Sequence, residues 1–405
     1  MNRIGALPLL TRPMVLLGMT SLASMTSFYL LVPIVPLYTA SGGSGNMGAG
    51  LSTGVTMLAT VLMELAMPAL LGRYGYRVGM ALGVLLLGVP SALLVLSSAL
   101  PMVLAVNLAR GAGLAIVVVA GPAMVAELAP AERRGEALGM YGVAVGIPAI
   151  LGLPIGLWLV PLIGYGPVFL AGTGLSLLAL TGIPWLPARA APAKQHGAAP
   201  AERQGGAPPE RQGGVLRALR HAGHARLVTV FATITLAAGV LLTFLPLAVP
   251  AGSQGTAPTA LLAHSCAMPL TRWAAGRYGD RHGQSVLLMP AVLAAVVGMA
   301  GLVRLDNPYA VIVGAALFGA GFGAAQNVTL VLMFARSSPP EFGRVSALWN
   351  LAYDGGMGIG AAGFGLVVGP AGYPAGFALI SAVLALALLP SWLDTRSERK
   401  LISER

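Results

Sequence analysis

Apolar runs of about twenty residues recur along nearly the whole chain, separated by short polar or basic pieces. That is the length an α-helix needs to cross a roughly 30 Å hydrocarbon core. In lipid every backbone N–H and C=O must be paired within the chain, so runs of this kind fold as transmembrane helices. Composition agrees: 56% of the 405 residues are hydrophobic and only 9% are charged, too few to cover a soluble surface.

Twelve spans are expected, at about 14–38, 50–71, 79–98, 102–126, 138–160, 167–187, 227–250, 257–275, 285–304, 309–334, 345–368 and 373–393. With loops alternating between faces, nearly all of the 24 Lys and Arg collect on one face. Arg304 falls on the other face and Arg110 inside a span. The positive-inside bias then makes the basic face cytoplasmic, with both termini there, as in a multi-pass protein of the cell (inner) membrane. Topology thus accounts for the net charge of +11, and no nucleic-acid partner is needed. Arg3 and Arg12 precede the first run, which is long and lacks a cleavage site, so it reads as a span rather than a signal peptide. The lone Cys266 excludes an intrachain disulfide and reads as a small packing residue.

One long segment, 188–226, is rich in Ala, Pro, Gly, Gln and Arg and has no apolar period. It is expected to be a cytoplasmic tether between an N-terminal bundle, 1–187, and a C-terminal bundle, 227–405. The halves repeat each other. "GRYGYRVG" at 72–79 and "GRYGDRHG" at 276–283 differ at two positions only, and each follows the second span of its half. The first span of each half ends in prolines: "LVPIVPLY" with Pro33 and Pro36, and "TFLPLAVP" with Pro246 and Pro250. Two parallel six-helix halves place a substrate cavity between them, near the bilayer midplane. A phosphate-cradling reading of the glycine loops fails, because it needs a strand before the loop.

These features resemble the major facilitator superfamily, with a match over nearly the whole chain. Gly276, Asp280, Arg281 and Gly283 fill the signature between the second and third helices of a half. In the first copy Gly72, Arg73, Arg77 and Gly79 stand in place, but Tyr76 replaces the acid. The resemblance implies that both loops gate the cytoplasmic side. Arg110, Gly113, Pro122, Glu127, Pro130, Arg134 and Gly135 resemble the fourth-helix pattern of proton-linked members. In the fifth span Gly139, Gly142, Gly146, Pro148, Gly152, Pro154 and Gly156 resemble, in degenerate spacing, the glycine-proline motif of exporters. The "PxxPLY" ending with Tyr38 is similar to multidrug-type, drug:proton antiporter members.

Ionisable residues within spans are costly and functional by default. Arg110 lies roughly 12 Å from the outer end of its helix, far for snorkelling. Glu64, Asp354, His264 and Arg110 are the proton-coupling candidates, and the acid that such exporters carry in the first helix is missing. Phe28, Tyr29, Asn107, Gln326, Asn327, Trp349, Asn350 and Tyr353 are candidates to line an amphipathic cavity, with 17 Met as adaptable wall. No catalytic motif, nucleotide-binding signature or metal-spaced His/Cys cluster is present, so no enzyme activity and no cofactor are expected. The expectation is an all-α, twelve-helix carrier, active as a monomer in the lipid bilayer. It would export a small amphipathic organic compound by alternating access, driven by proton influx, as in multidrug efflux. One alternative is an importer or facilitator of a sugar or organic anion, with Arg110 and Arg272 as counter-charges. Another is a transport-inactive sensor or scaffold, suggested by Tyr76.

Overall fold

The computed structural model describes residues 11–130, 133–187, 222–253, 255–338 and 341–403. Among these, regular structure is helical throughout. The helices are α1 (Arg12–Leu31), α2 (Ile34–Thr39), α3 (Gly45–Gly88), α4 (Leu100–Leu128), α5 (Arg134–Ile163) and α6 (Tyr165–Gly182) in the first half. The second half holds α7 (Ala222–Ala248), α8 (Thr256–His282), α9 (Leu288–Gly301), α10 (Pro308–Ala335), α11 (Phe342–Leu386) and α12 (Leu388–Ser403). The segment Arg12–Val95 is 84 residues long and holds the first three spans, folded back on itself. Phe342–Arg396 holds the last two. Thr256–His282, less apolar than the others, is the eighth. The expected twelve spans are all present, in two six-helix bundles.

Local chemistry sets the helix ends. Pro13, Pro101 and Pro308 sit in first turns, where a missing N–H costs nothing. Asn307 caps α10, its side-chain oxygen accepting from the Tyr309 and Ala310 N–H groups at 3.0 and 3.2 Å. Between α1 and α2 the first span breaks, since Pro36 cannot donate to the Val32 carbonyl. Beyond the break Tyr38 donates to the Leu94 carbonyl at 2.7 Å and packs on Phe169, ring centres 5.0 Å apart. The seventh span carries Pro246 without such a break. α7 starts at Ala222, so residues 222–226 belong to a helix and not to the tether; 188–221 lie outside the described residues. Helix favours these residues because His224, Leu227 and Val230, three residues apart, fall on one face and are buried, Leu227 and Val230 fully.

The near-identical glycine loops do not turn at the same residue. In the first copy the left-handed residue is the fourth, Gly75 (φ 76°), and helical geometry resumes through Gly79. In the second copy α8 runs on to His282, and the left-handed residue is the eighth, Gly283 (φ 88°). Only glycine reaches this region of φ without strain. The second helix is thereby one turn longer than the first, and carries Asp280 on its last turn.

The bundles touch at the face opposite these loops. Tyr373 donates to the Asn46 side-chain oxygen at 2.6 Å, and the Thr53 and Thr243 hydroxyls lie 3.0 Å apart. There α3 and α11 approach so closely that a Cβ on Gly50 would meet the Ala361 carbonyl oxygen. At the loop face the same helices diverge, and cavities open between the bundles.

Candidate functional site

Two clefts enter from the loop face. The first, about 380 Å³, lies between α3 and α11, with α4 behind. Glu64, Tyr76, Ser346 and Asn350 supply its polar lining; the rest is apolar or glycine, and none is basic. Asp354 sits one helical turn deeper than Asn350. The charge of Glu64 reaches Asp354, and that of Asp354 reaches Tyr29 and Tyr353. Four of the expected site residues, from spans one, two and eleven, therefore lie within electrostatic range of one another across the interface. Among the described residues neither acid has an ion-pair partner.

The second cleft, about 760 Å³, lies between α5 and the α8–α10 pair. Arg272 donates to the Gln326 side-chain oxygen at 3.1 Å. The side-chain oxygen of Asn327, buried in the wall, has no hydrogen-bond partner. Arg277 lies over the Trp273 ring, 5.9 Å from its centre, and exposed Asp280 lines the cavity at its loop end. The facing wall is the loop-side half of the glycine-proline span. Gly139, Gly142 and Gly146 have no neighbour within 4 Å of a would-be Cβ. In the far half of the same helix Gly152 and Gly156 pack on the backbone of span one, at Leu30. Pro148 and Pro154 are buried between the two halves of that helix.

Other expected site residues lie inside single bundles. Arg110 is 2% exposed among spans one, two and four. It donates to the Asn107 side-chain oxygen at 3.3 Å, its Nη2 is 3.5 Å from the Phe28 carbonyl, and it stacks over the Phe28 ring. These groups border a void of about 20 Å³, room for one water. No carboxylate lines it. His264 is buried between α8 and α10, stacked on Phe318 and Phe322 at 5.8 and 6.2 Å. From Phe322 the aromatic wall continues to Tyr353, Trp349 and Phe231, and Trp349 donates to the Thr329 hydroxyl at 3.1 Å.

At the loop face Tyr76 donates to Glu127 on α4; burial first, and then this carboxylate, raise its phenol above the ordinary value. Arg77 donates to the Leu186 carbonyl at 2.6 Å, closing the first loop onto span six. Arg73 lies over the Tyr74 ring, and Gly72, Arg73, Arg281 and Gly283 are exposed. Sequence reasoning missed Asp394, which is 1% exposed. It accepts from Arg226 at 3.2 Å and from both terminal nitrogens of Arg336 at 2.8 and 2.7 Å, tying spans seven, ten and twelve together. An acid just past the last apolar run reads as solvated, and its partners lie far off in sequence. The available signal was the aligned pair "PWLP" and "PSWLD", in which only the second half has an acid.

The family model of the Major Facilitator Superfamily matches residues 17–332 and 251–404. The chain belongs to that superfamily. A bacterial homolog of the human lysosomal transporter Spinster, described as inward-facing and unoccupied, superposes with TM-score 0.75 at 14% identity, covering 98% of this chain and 99% of that one. The nucleoside transporter NupG gives 0.72 at 12% identity, with 95% and 98% covered. The xylose transporter XylE from E. coli, in a partially occluded inward-open conformation, gives 0.69 at 15%, with 94% and 96% covered. No curated protein matches the sequence. This membrane transporter thus shares a fold with carriers of unlike substrates, so its specificity must be argued from its own side chains.

Proposed function

We propose that this transporter is a proton-coupled carrier, active as a monomer, that exports a small amphipathic organic compound by alternating access. The observation that carries the reading is the pair Glu64 and Asp354, within electrostatic range of each other at a cleft between the bundles and, among the described residues, without an ion-pair partner. Two acids so placed hold one proton more readily than two charges. Loss of that proton to water, or its displacement by a substrate, changes which arrangement of the bundles is favoured. The seal at Asn46, Thr53 and Tyr373 and the clefts at the loop face support an inward-open resting state. In this reading the loop face is cytoplasmic, and the segment before Ala222 tethers the halves there.

The test is proton movement in proteoliposomes under an imposed pH gradient, with candidate amphiphiles added. Substrate-dependent proton flux is expected in the unaltered protein. It should fall at least tenfold in Asp354→Asn and in Glu64→Gln, with insertion unchanged. Full pH-dependent flux in both variants overturns the assignment. Import is the second reading, because an alternating-access carrier is reversible and the gradients alone set its direction. Inverted and right-side-out vesicles give opposite signs for the two directions.

A further inference from the structure

The larger cleft, between α5 and α8, has a chemistry that the proton pair does not use. Its deepest charge is Arg272, ten residues or roughly 15 Å along the helix from His282. Among the described residues this guanidinium donates one hydrogen bond, to the neutral amide of Gln326, and has no ion-pair partner. A cation held this way leaves most of its five N–H donors free for an anion. Beside it Asn327 has a buried side-chain oxygen without a partner, while its NH₂ group lies on the side of Gly276, which also lines the cleft.

Toward the flank of the bundles the lining changes character. Val143 and Ile147 of α5 are exposed, Val143 by 66%, as is Trp273 of α8 by 67%; next to the lining, Leu270 is exposed by 65%. Arg277 over Trp273 makes an amphipathic pair of the kind that settles at a membrane interface. The cleft therefore joins a positive pole, Arg272, that is open to the cavity to an apolar wall of exposed side chains. Its volume, about 760 Å³, falls within the range of roughly 300–1,000 Å³ seen for small-ligand pockets.

We infer that this cleft binds a single-chain amphiphile with an anionic head group, phosphate or carboxylate, admitted sideways from the loop-face leaflet between spans five and eight. The head group would sit on Arg272 and Asn327, with the chain along Val143, Ile147 and Leu270. This rests on the carrier reading for its purpose. The binding itself needs no gradient, so it can be tested apart from proton coupling.

The experiment places the full chain in zwitterionic nanodiscs and titrates dodecyl phosphate brominated at its last carbon, reading tryptophan quenching. Saturable quenching is expected, largely removed by Trp273→Phe. Arg272→Gln should weaken it at least tenfold, and Arg272→Lys by less. Val143→Phe, which fills the cleft from the other helix without touching Arg272, should also weaken it. Unchanged quenching in both Arg272→Gln and Val143→Phe overturns the proposal, as does equal affinity for a brominated zwitterionic chain. Displacement by inorganic phosphate at matched concentration would mark a free-anion site and overturn the amphiphile class. Loss of proton flux in Asp354→Asn with this binding intact would leave the two inferences standing separately.

Discussion

The clefts on either side of the bundle interface are built from corresponding helices of two repeated halves, yet they carry opposite charge. The α3–α11 cleft is lined by Glu64 with Asp354 behind it and has no base. The α5–α8 cleft is lined by Arg272 and Arg277, with Asp280 at its loop end. The glycine loops follow the same division: Tyr76 stands in the acidic cleft and Asp280 in the basic one. An acid at position 76 would add a third carboxylate beside Glu64 and Glu127, whereas Asp280 shares its cleft lining with Arg272 and Arg277. The departure at Tyr76 is thus matched to the charge of the cleft it closes. Duplication supplied one scaffold, and the ionisable side chains then divided the work.

The largest effect should come from blocking the movement of one cleft wall. Gly139, Gly142 and Gly146 border open space now and would meet α8 if the basic cleft closed. Gly146→Leu should therefore fold normally in the present state and resist closure. Overpacking typically costs about 1–3 kcal/mol, a bias of up to about a hundredfold against the closed state. Transport should fall accordingly, and cysteine probes at the loop face should label more fully. Gly156→Leu, ten residues on in the same helix, should instead reduce folded yield, because its Cβ already meets the Leu30 carbonyl oxygen. Equal folded yield for both variants would show that the two halves of α5 are not distinguished as described.

The acidic cleft should be less sensitive to bulk and more to charge. Neutralising Glu64 with Gln removes the repulsion felt by Asp354 and one proton site. Proton-driven transport should drop at least tenfold while exchange of substrate without a gradient persists. Proteoliposome flux measured with and without a pH gradient checks this. Arg272→Gln in the other cleft should do the reverse: weaker binding of an anionic amphiphile, with the number of protons moved per substrate unchanged.

The sequence-based reading located what depends on composition and missed what depends on which way a helix face points. All twelve spans were legible, because a bilayer demands long apolar runs whatever the packing. Glu64, Asp354, Tyr29 and Tyr353 stand out in the sequence as rare polar groups at membrane depth, and the fold brings them within electrostatic range of one another. His264 carries the same signal but turns into its own bundle against Phe318 and Phe322, and Arg110 turns into the first bundle with Phe28 and Asn107. A helix hydrophobic on nearly all sides gives no periodicity from which to read orientation. The shift of the left-handed residue from Gly75 to Gly283 was equally hidden, since both loops have glycine at both positions. Asp394 was invisible for another reason: a buried carboxylate becomes recognisable only once Arg226 and Arg336 are known to converge on it.

The far-face seal gives a smaller, graded effect. Tyr373→Phe removes one hydrogen bond, to Asn46, without altering the ring. A net loss of about 1 kcal/mol would shift the balance roughly fivefold toward the state open at the far face. A cysteine introduced at exposed Ser41, between α2 and α3, should then label faster from that side, and an unchanged rate would show that the bond plays no part.

The smallest effect is expected at Tyr76, and there the structure changes the reason more than the sign. From the sequence, Tyr76→Asp should strengthen the closed loop face by restoring a charged latch. In the structure Tyr76 donates to Glu127, so an aspartate here would lose that bond and set two carboxylates side by side in the open state. At a solvated surface such repulsion is worth about 0.3–1 kcal/mol, at most about a fivefold bias toward closure. Tyr76→Phe loses the hydrogen bond without adding charge, and so separates the two causes. If both variants reduce loop-face labelling equally, the lost bond to Glu127 is responsible. If only Tyr76→Asp does, and salt at about 1 M abolishes the effect, repulsion is. If neither does, position 76 plays no part in holding the acidic cleft open.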